Sequence, residues 1–488
     1  MANSDEAPFS KVVVAVGTYD GVLAGWEMDM EKKKFKIAFA TPVHEGSVRS
    51  MVMAQPHPDS SDKNDNPQQS PQPGALLSCG YDEVLRTHDF SKRLNSSGEV
   101  RTPAEFGTPV CSGFAPPMML EPSATPPQGS THCLVGFSEG KLVIYKKRDW
   151  SVQHVLAGHE GGVACISVHP SGKMALTGGE SDGKLKLWDL TKGRLAFVSK
   201  INPAQTKGGR TQYEAIANIV WGVTNDETKQ VYAFCYGNHV TVRDVGSGQD
   251  LLDVDLPSKV NQVCLMSYQQ DLYVAAACND GSLPVLAVED GSSEEIRAIM
   301  AIEPVDGPVA GEERFKCIHS LVEGHVVTAN SAGVISLMDL RGAIRMITTD
   351  QEQANDDSDS DRAGNSDEDD SDDDEEELAV DIIDGVQLGS GARVTSLTAW
   401  CYTQQESDDS SQSDEEEAGV EEEEKEVPEN IKEKENSKKR QRPDSDSNKN
   451  VTIDDDALQR ARDLVASAKK IQKRKNKKKK HKQGGATS

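Results

Sequence analysis

One element recurs seven times along this chain: an apolar segment ending in small residues, a tight turn, then an alternating apolar strand. Its clearest copy runs from Ala175 to Leu190 as ALTGGESDGKLKLWDL, and the others begin at Val14, Leu76, Leu134, Val231, Val274 and Val326. Aligned on the turn, the copies place Trp26, His88, Tyr145, Trp188, Arg243, Leu286 and Met338 at one position. An acid follows directly at Glu27, Asp89, Asp189, Asp244 and Asp339. The turns are Asp-Gly or similar, which suits hairpins that need positive φ. The flanks alternate as half-buried strands do.

Six copies are preceded by another short apolar strand: Ser47–Met53, Pro109–Phe114, Gly162–His169, Ala215–Trp221, Val260–Met266 and Phe315–Val322. The first copy has none on its N-terminal side. A matching strand appears far downstream, at Arg393–Trp400. If it pairs beside the strands that begin near Lys11, the array becomes a ring and loses the open sheet edges that invite aggregation. Copies lie roughly 40–60 residues apart, somewhat above the ~40–45 of a four-stranded propeller blade. The polar loops Gln55–Gly74 and Pro116–Ser130 account for the excess. The expected fold is all-β: a seven-bladed β-propeller over residues 9–403, closed by the strand at 393–400.

Lys+Arg 53 against Asp+Glu 80 gives a net charge of −27. Most of that charge follows Asp350. The run 350–377 carries DDSDSD and DEDDSDDDEEE, repels itself and is expected to be a disordered insert within the propeller. Residues 404–454 read as a disordered linker, acidic at first and then mixed, with a basic cluster at Lys438, Lys439 and Arg440. Within 455–488, Leu458, Ala461, Leu464, Val465, Ala468 and Ile471 fall on one face of a short helix expected from Asp455 to Lys470. A lysine-rich tail follows: Lys469, Lys470, Lys473, Arg474, Lys475, Lys477, Lys478, Lys479, Lys480 and Lys482. Such clusters read as nuclear or nucleolar targeting and as contacts to RNA phosphates. Ser358, Ser366, Ser371 and Ser413 each have an acid three residues on, a context that suits phosphorylation and would deepen the charge.

The start of the sequence shows no secretory signal, and no apolar run reaches membrane-spanning length, so no membrane association is expected. The nine cysteines are scattered without a CxxC pair, which points to a reducing compartment and away from a zinc site. No GxSxG, P-loop or HExxH is present. The reading is therefore a non-catalytic protein without cofactor or metal, working as a monomer inside a larger complex.

Gly158-His159, the stretch Val163 to Pro170, and Trp188-Asp189 resemble a full WD40 repeat. The resemblance implies a structural tetrad of His159, Thr177, Asp182 and Trp188. Within that superfamily the chain resembles the WD-repeat family named for interaction with p21-activated kinase, which includes the fungal maintenance-of-killer proteins. The residues that carry this are Gly17-Thr-Tyr-Asp20 with Trp26-Glu27, Gly80-Tyr-Asp82, His169 to Thr177, and Leu187 to Arg194. The acidic insert lies outside the resemblance. What it implies is a nucleolar scaffold for assembly of the large ribosomal subunit, including processing of its precursor RNA. Its partners would be ribosomal proteins or assembly factors, with precursor rRNA reached through the basic tail. In relatives it implies negative regulation of a p21-activated-type kinase. A histone or chromatin adaptor and a ubiquitin-ligase substrate receptor remain as alternatives.

Overall fold

A computed structural model describes residues 7–54, 75–89, 95–114, 131–205, 211–223, 230–269, 271–288, 314–345, 380–389 and 392–403. Within them the chain forms seven successive antiparallel blades, six four-stranded and one three-stranded, besides a two-stranded ribbon at 204–205 and 211–212. The innermost strands, in ring order, are Val394–Thr403, Val48–Ala54, Pro109–Gly113, Val163–Val168, Ile216–Val223, Val260–Tyr268 and Phe315–Ser320. Each touches the innermost strands of both neighbouring blades, so the array closes on itself.

Closure joins the two ends of the propeller sequence. Val394–Thr403 pairs antiparallel with Phe9–Thr18, from Phe9↔Thr403 to Thr18↔Val394. The first blade thus takes one strand from far downstream and three from the N-terminal region, Phe9–Thr18, Val22–Asp29 and Lys34–Pro42. Alternation explains why the strands stack as blades. Each sheet shows an apolar set to both neighbours, and the core divides into seven clusters, one at each blade–blade interface. Val12, Trp26, Val327, Leu337, Leu397 and Ala399 seal the interface between the last blade and the first.

The innermost strands carry one irregularity in common. A register shift near the start of each leaves one residue unpaired: Arg49, Val110, Ala164, Ala217, Asn261, Lys316 and Thr395. Such bulges twist the strand and re-aim the next side chain. Here that side chain reaches the following blade. Met51 N–H donates to Ser396 Oγ (3.1 Å), Ser112 N–H to Ser50 Oγ (3.1 Å), Val263 N–H to Asn218 Oδ1 (3.2 Å) and Ile318 N–H to Gln262 Oε1 (3.1 Å). Where the position is cysteine, the thiol donates instead: Cys111 Sγ to Val163 O (3.4 Å) and Cys165 Sγ to Ile216 O (3.2 Å). Backbone groups on an inner strand's open edge would otherwise be buried unpaired. All nine cysteines are free and buried. Burial pushes thiols such as Cys79 and Cys317 up to about 12, which keeps them protonated and unreactive.

In the last blade, Val334–Asp339 pairs with Asp381–Gln387. Residues 346–379, with the acidic run, therefore connect the third and fourth strands of one blade. By sequence this run lies between the last repeat and the closing strand, and the strand at Asp381–Gln387 is not expected. That strand supplies the blade's outer edge, and Asp384 Oδ2 accepts Phe35 N–H of the first blade (2.7 Å). The helix expected at 455–470 lies outside the described residues.

Candidate functional site

Antiparallel order puts two kinds of connection on one face of the ring: the turns between second and third strands, and the loops that lead from one blade into the next. In the fourth blade the turn is 180–183 and the entry loop 158–162. Four side chains bind them together. Trp188 Nε1–H donates to Thr177 Oγ1 (2.9 Å). Thr177 Oγ1 lies 2.8 Å from His159 Nε2, and His159 Nδ1 lies 3.0 Å from Asp182 Oδ2. Since the indole can only donate, one tautomer satisfies every atom: Trp188 to Thr177, Thr177 O–H to His159 Nε2, and His159 Nδ1–H to Asp182. Asp182 also accepts Glu160 N–H (3.3 Å) and Lys184 N–H (3.1 Å), pinning loop and turn at once. The Thr177 and His159 side chains are fully buried. Burial lowers the His159 pKa, with the Asp182 carboxylate opposing it, so the ring is kept neutral as this relay requires.

A second relay stands in the second blade, where His88 occupies the position that tryptophan holds in the fourth. His88 Nε2 lies 3.1 Å from Ser78 Oγ, Ser78 Oγ 2.9 Å from His44 Nε2, and His44 Nδ1 2.9 Å from Asp82 Oδ1. His88 takes the tryptophan's place, without the indole's fixed direction of donation, since Arg86 Nη1 also reaches His44 Nδ1 (3.0 Å). Burial, helped by the nearby His44 and Arg86, pushes its pKa down to about 4. Burial alone would raise the Asp82 carboxyl, but hydrogen bonds from His44, the Glu45 amide and Arg86 hold it well below the usual carboxylate range. Asp82 accepts Glu45 N–H (3.1 Å), so this relay also ties a loop to a turn. The signal was present in sequence as His44, Ser78, Gly80-Tyr-Asp82 and a donor-capable residue at 88.

In the first and third blades the relay fails for want of an acceptor. Thr177 stands two residues beyond Ala175, the cross-strand partner of Trp188. The equivalent residues are Val16 for Trp26, which pairs with Val14, and Val135 for Tyr145, which pairs with Cys133. Valine offers no acceptor, and Trp26 Nε1 and the Tyr145 hydroxyl are buried without partners. Arg243 takes another course and forms an ion pair with Asp250 while lying over the Phe234 ring. The acids that follow the aligned position mostly close the opposite turns. Asp189 accepts Thr191 and Lys192 N–H, and Asp244 accepts Gly246 and Ser247 N–H. Glu27 differs. It pairs with Lys11 (2.8 Å), and Asp29 closes the turn by accepting Glu31 N–H.

Among the described residues, no group of three or more His, Cys, Asp or Glu is placed to hold a metal ion. Among them, too, no helix is long and apolar enough to cross a membrane. His169 sits against Ser171 and edge-on to Trp221 (4.8 Å), a packing role. The basic residues at 438–440 and 469–482 and the four serines Ser358, Ser366, Ser371 and Ser413 lie outside the described residues. The site is thus a face of loops, two of them fixed by buried relays, of a kind that can hold a protein.

Comparison with known proteins agrees with this geometry. Residues 150–189 match the family described as WD domain, G-beta repeat, a stretch that contains the whole fourth-blade relay. The chain is similar to Shk1 kinase-binding protein 15 of Schizosaccharomyces pombe, 25% identical over 66% of this chain and 76% of that protein. It is similar to a p21-activated protein kinase-interacting protein 1-like of Xenopus laevis, 25% identical over 39% of this chain and 43% of that one. It is also similar to telomerase Cajal body protein 1 of Rattus norvegicus, 30% identical over 24% of this chain and 20% of that one. The chain thus spans less than half the length of the latter two relatives.

Proposed function

Because the chain is a WD-repeat propeller of the p21-activated-kinase-interacting group, we propose that it is a non-catalytic scaffold for nucleolar assembly of the large ribosomal subunit. The observation that supports the scaffold role is the loop face itself, where buried relays at His159 and His44 tie each blade's turn to its entry loop. The propeller holds a ribosomal protein or assembly factor on this face. The lysines of 469–482 contact precursor rRNA phosphates, an interaction that weakens steeply with salt. Phosphorylation of Ser358, Ser366, Ser371 or Ser413 adds negative charge and tunes affinity for basic partners. A nuclear site of action is supported by the relative named for the Cajal body and by the lysine clusters.

Depletion followed by sucrose-gradient profiling tests the reading: free large subunits should fall relative to small ones, and an unchanged ratio counts against it. Deleting Lys469–Lys482 should disperse the protein from nucleoli without moving its melting temperature. Unaltered nucleolar staining removes the targeting role. A second reading is favoured by the names of the relatives, two of which bind or interact with kinases. On that reading the same face binds and restrains a p21-activated-type kinase. Absence of binding between the purified proteins would dispose of it.

A further inference from the structure

The entry ends of the seven innermost strands match one another position for position. In six blades the first amide of the turn between second and third strands donates to a carbonyl two residues before the inner-strand bulge. The acceptors are Arg393, Ser47, Thr108, Gly162, Lys259 and Arg314, at 2.8–3.0 Å. In the fifth blade the same place falls to Ala215, before the bulge at Ala217. The third, fourth and fifth blades hold only uncharged residues at this position and at the bulge: Thr108 and Val110, Gly162 and Ala164, Ala215 and Ala217. The sixth, seventh, first and second blades instead place Lys259, Arg314 with Lys316, Arg393 and Arg49 there. Cations are thus confined to four consecutive blades.

The arc crosses the blade boundaries without a break. Asn261 Nδ2–H donates to Phe315 O (2.6 Å), which lays Lys259-Val260-Asn261 against Arg314-Phe315-Lys316. Thr395 Oγ1–H donates to Val48 O (2.6 Å), which lays Arg393-Val394-Thr395 beside Arg49. An innermost strand has a blade on either face and its own second strand along one edge, so a side chain exposed at its entry end opens on the channel mouth. Arg49, Lys259, Arg314 and Arg393 are exposed there, and Lys316 is half-buried. None of the five side chains pairs with a carboxylate among the described residues. Burial, then the Arg314 charge and that of Lys259, lower the Lys316 pKa, and no carboxylate offsets them. Like charges gathered in this way repel one another, and an anion among them relieves the repulsion.

The surroundings say which anion. Outside the arc, on turns and entry loops farther from the channel, stand Asp280, Asp20, Glu45 and Glu83, and Glu139, Glu180 and Glu214 continue this belt on the other blades. Asp20 and Glu45 have contacts of their own. Cations of the belt are engaged as well: Arg86 pairs with Asp82, Lys184 with Glu160, and Lys141 reaches the Glu105 carbonyl. A nucleic-acid strand laid across the face would meet the belt's carboxylates together with the arc. A single doubly charged group set into the channel mouth meets the arc alone. We propose that the mouth binds a phosphoserine or phosphothreonine of a partner protein, with Lys259, Arg314 and Lys316 on the phosphate and Arg393 and Arg49 on acidic residues beside it. A phosphate monoester carries close to two charges and three acceptor oxygens, enough to engage three cations at once, where a carboxylate serves one. Glu312 and Glu313, which precede Arg314 in sequence, lie outside the described residues.

The inference rests on the scaffold reading and names its partner chemistry. The test titrates the full-length protein into a fluorescein-labelled peptide library with phosphoserine fixed at its centre and mixed flanks, read by anisotropy. Libraries with serine or glutamate at the centre and an oligouridine RNA serve as further probes. The phosphoserine library should bind more tightly than the glutamate library, and the serine library should not bind. Replacing Lys259, Arg314 and Lys316 together by Gln should weaken phosphoserine binding about tenfold. Arg314→Lys alone should retain most of it, and all variants should melt with the wild type. Unchanged affinity in the triple variant overturns the proposal, since binding then belongs to the lysine-rich tail. Loss of oligouridine binding in that variant, with phosphoserine binding intact, overturns it in favour of a nucleic-acid platform. Binding that appears only once Glu312 and Glu313 are replaced by Gln also overturns it, because the chain then neutralises its own arc. Capture from nuclear extract reads the scaffold separately. If the wild type captures no ribosome assembly partner while arc-dependent phosphoserine binding persists, the arc stands and the ribosomal reading falls. If such partners are captured while phosphoserine binding ignores the arc, the arc falls alone.

Discussion

Thr177→Val isolates the relay from packing. The two side chains are nearly isosteric, so the change removes a hydroxyl and leaves no cavity. Thr177 is fully buried, and its oxygen both accepts from Trp188 at 2.9 Å and faces His159 Nε2 at 2.8 Å. Valine strands an indole N–H at a side chain only 3% exposed and an imidazole nitrogen that is fully buried. Each unpaired buried group costs about 1–3 kcal/mol, and partial relaxation of the rings recovers some of it. The expected destabilisation is about 2–4 kcal/mol. The fold should survive, because the first and third blades already contain the same defect at Trp26 and Tyr145. Equilibrium urea denaturation followed by far-ultraviolet circular dichroism measures the loss, and amide exchange over 159–162 and 180–184 shows whether loop and turn loosen together. A loss below about 0.5 kcal/mol, with exchange unchanged, would mean that the hydrogen bonds do not hold the blade as described.

Trp188→Ala should cost more, about 3–5 kcal/mol, because it adds a cavity between the third and fourth blades to the lost donor; a loss below 1 kcal/mol, measured the same way, contradicts that burial. Leu397→Asp places a charge in the interface between the last and first blades, where Leu397 is 6% exposed. It should destabilise by roughly 4 kcal/mol or more and speed proteolysis of the N-terminal strands; wild-type resistance would mean that Val394–Thr403 does not close the ring. Stability should also depend on acid. His88 and His319 sit at about 4 when folded, against about 6.5 unfolded, because burial disfavours the charged ring. Folding favours their neutral forms, so this contribution is complete above pH ~6.5 and is lost as pH falls toward 4, on the order of 2 kcal/mol for each. A flat urea midpoint between pH 6.5 and 4.5 would refute it.

The parts of the fold legible in sequence were those that bury one face and turn tightly. The second and third strands of every blade announced themselves by alternation around Gly- and Asp-rich turns, and the strand near Val394 by its likeness to the other inner strands. The outer strands were not legible, for a physical reason. Arg194–Lys200 is exposed along almost its whole length, and Val152–Ala157 nearly so, so neither face imposes an apolar period. Asp381–Gln387 was hidden further by the acidic run before it. The fourth-blade relay could be named because tryptophan marks it. The second-blade relay was half seen, because what the site requires is a ring nitrogen over a hydroxyl, and His88 over Ser78 meets that need without looking like the motif. The inner-strand bulges left no sequence mark at all, since residues as different as Ser50, Cys165 and Gln262 perform the same stitch between blades.

We propose that this propeller gathers proteins of the large ribosomal subunit during its assembly. Affinity capture of the full-length chain from nuclear extract at moderate salt, with mass spectrometry of the bound proteins, tests it most directly. Large-subunit ribosomal proteins should be recovered together with assembly factors, and recovery should fall when the fourth-blade relay is broken by Thr177→Val. Recovery of core histones alone, or of a ubiquitin ligase without ribosomal proteins, would contradict it.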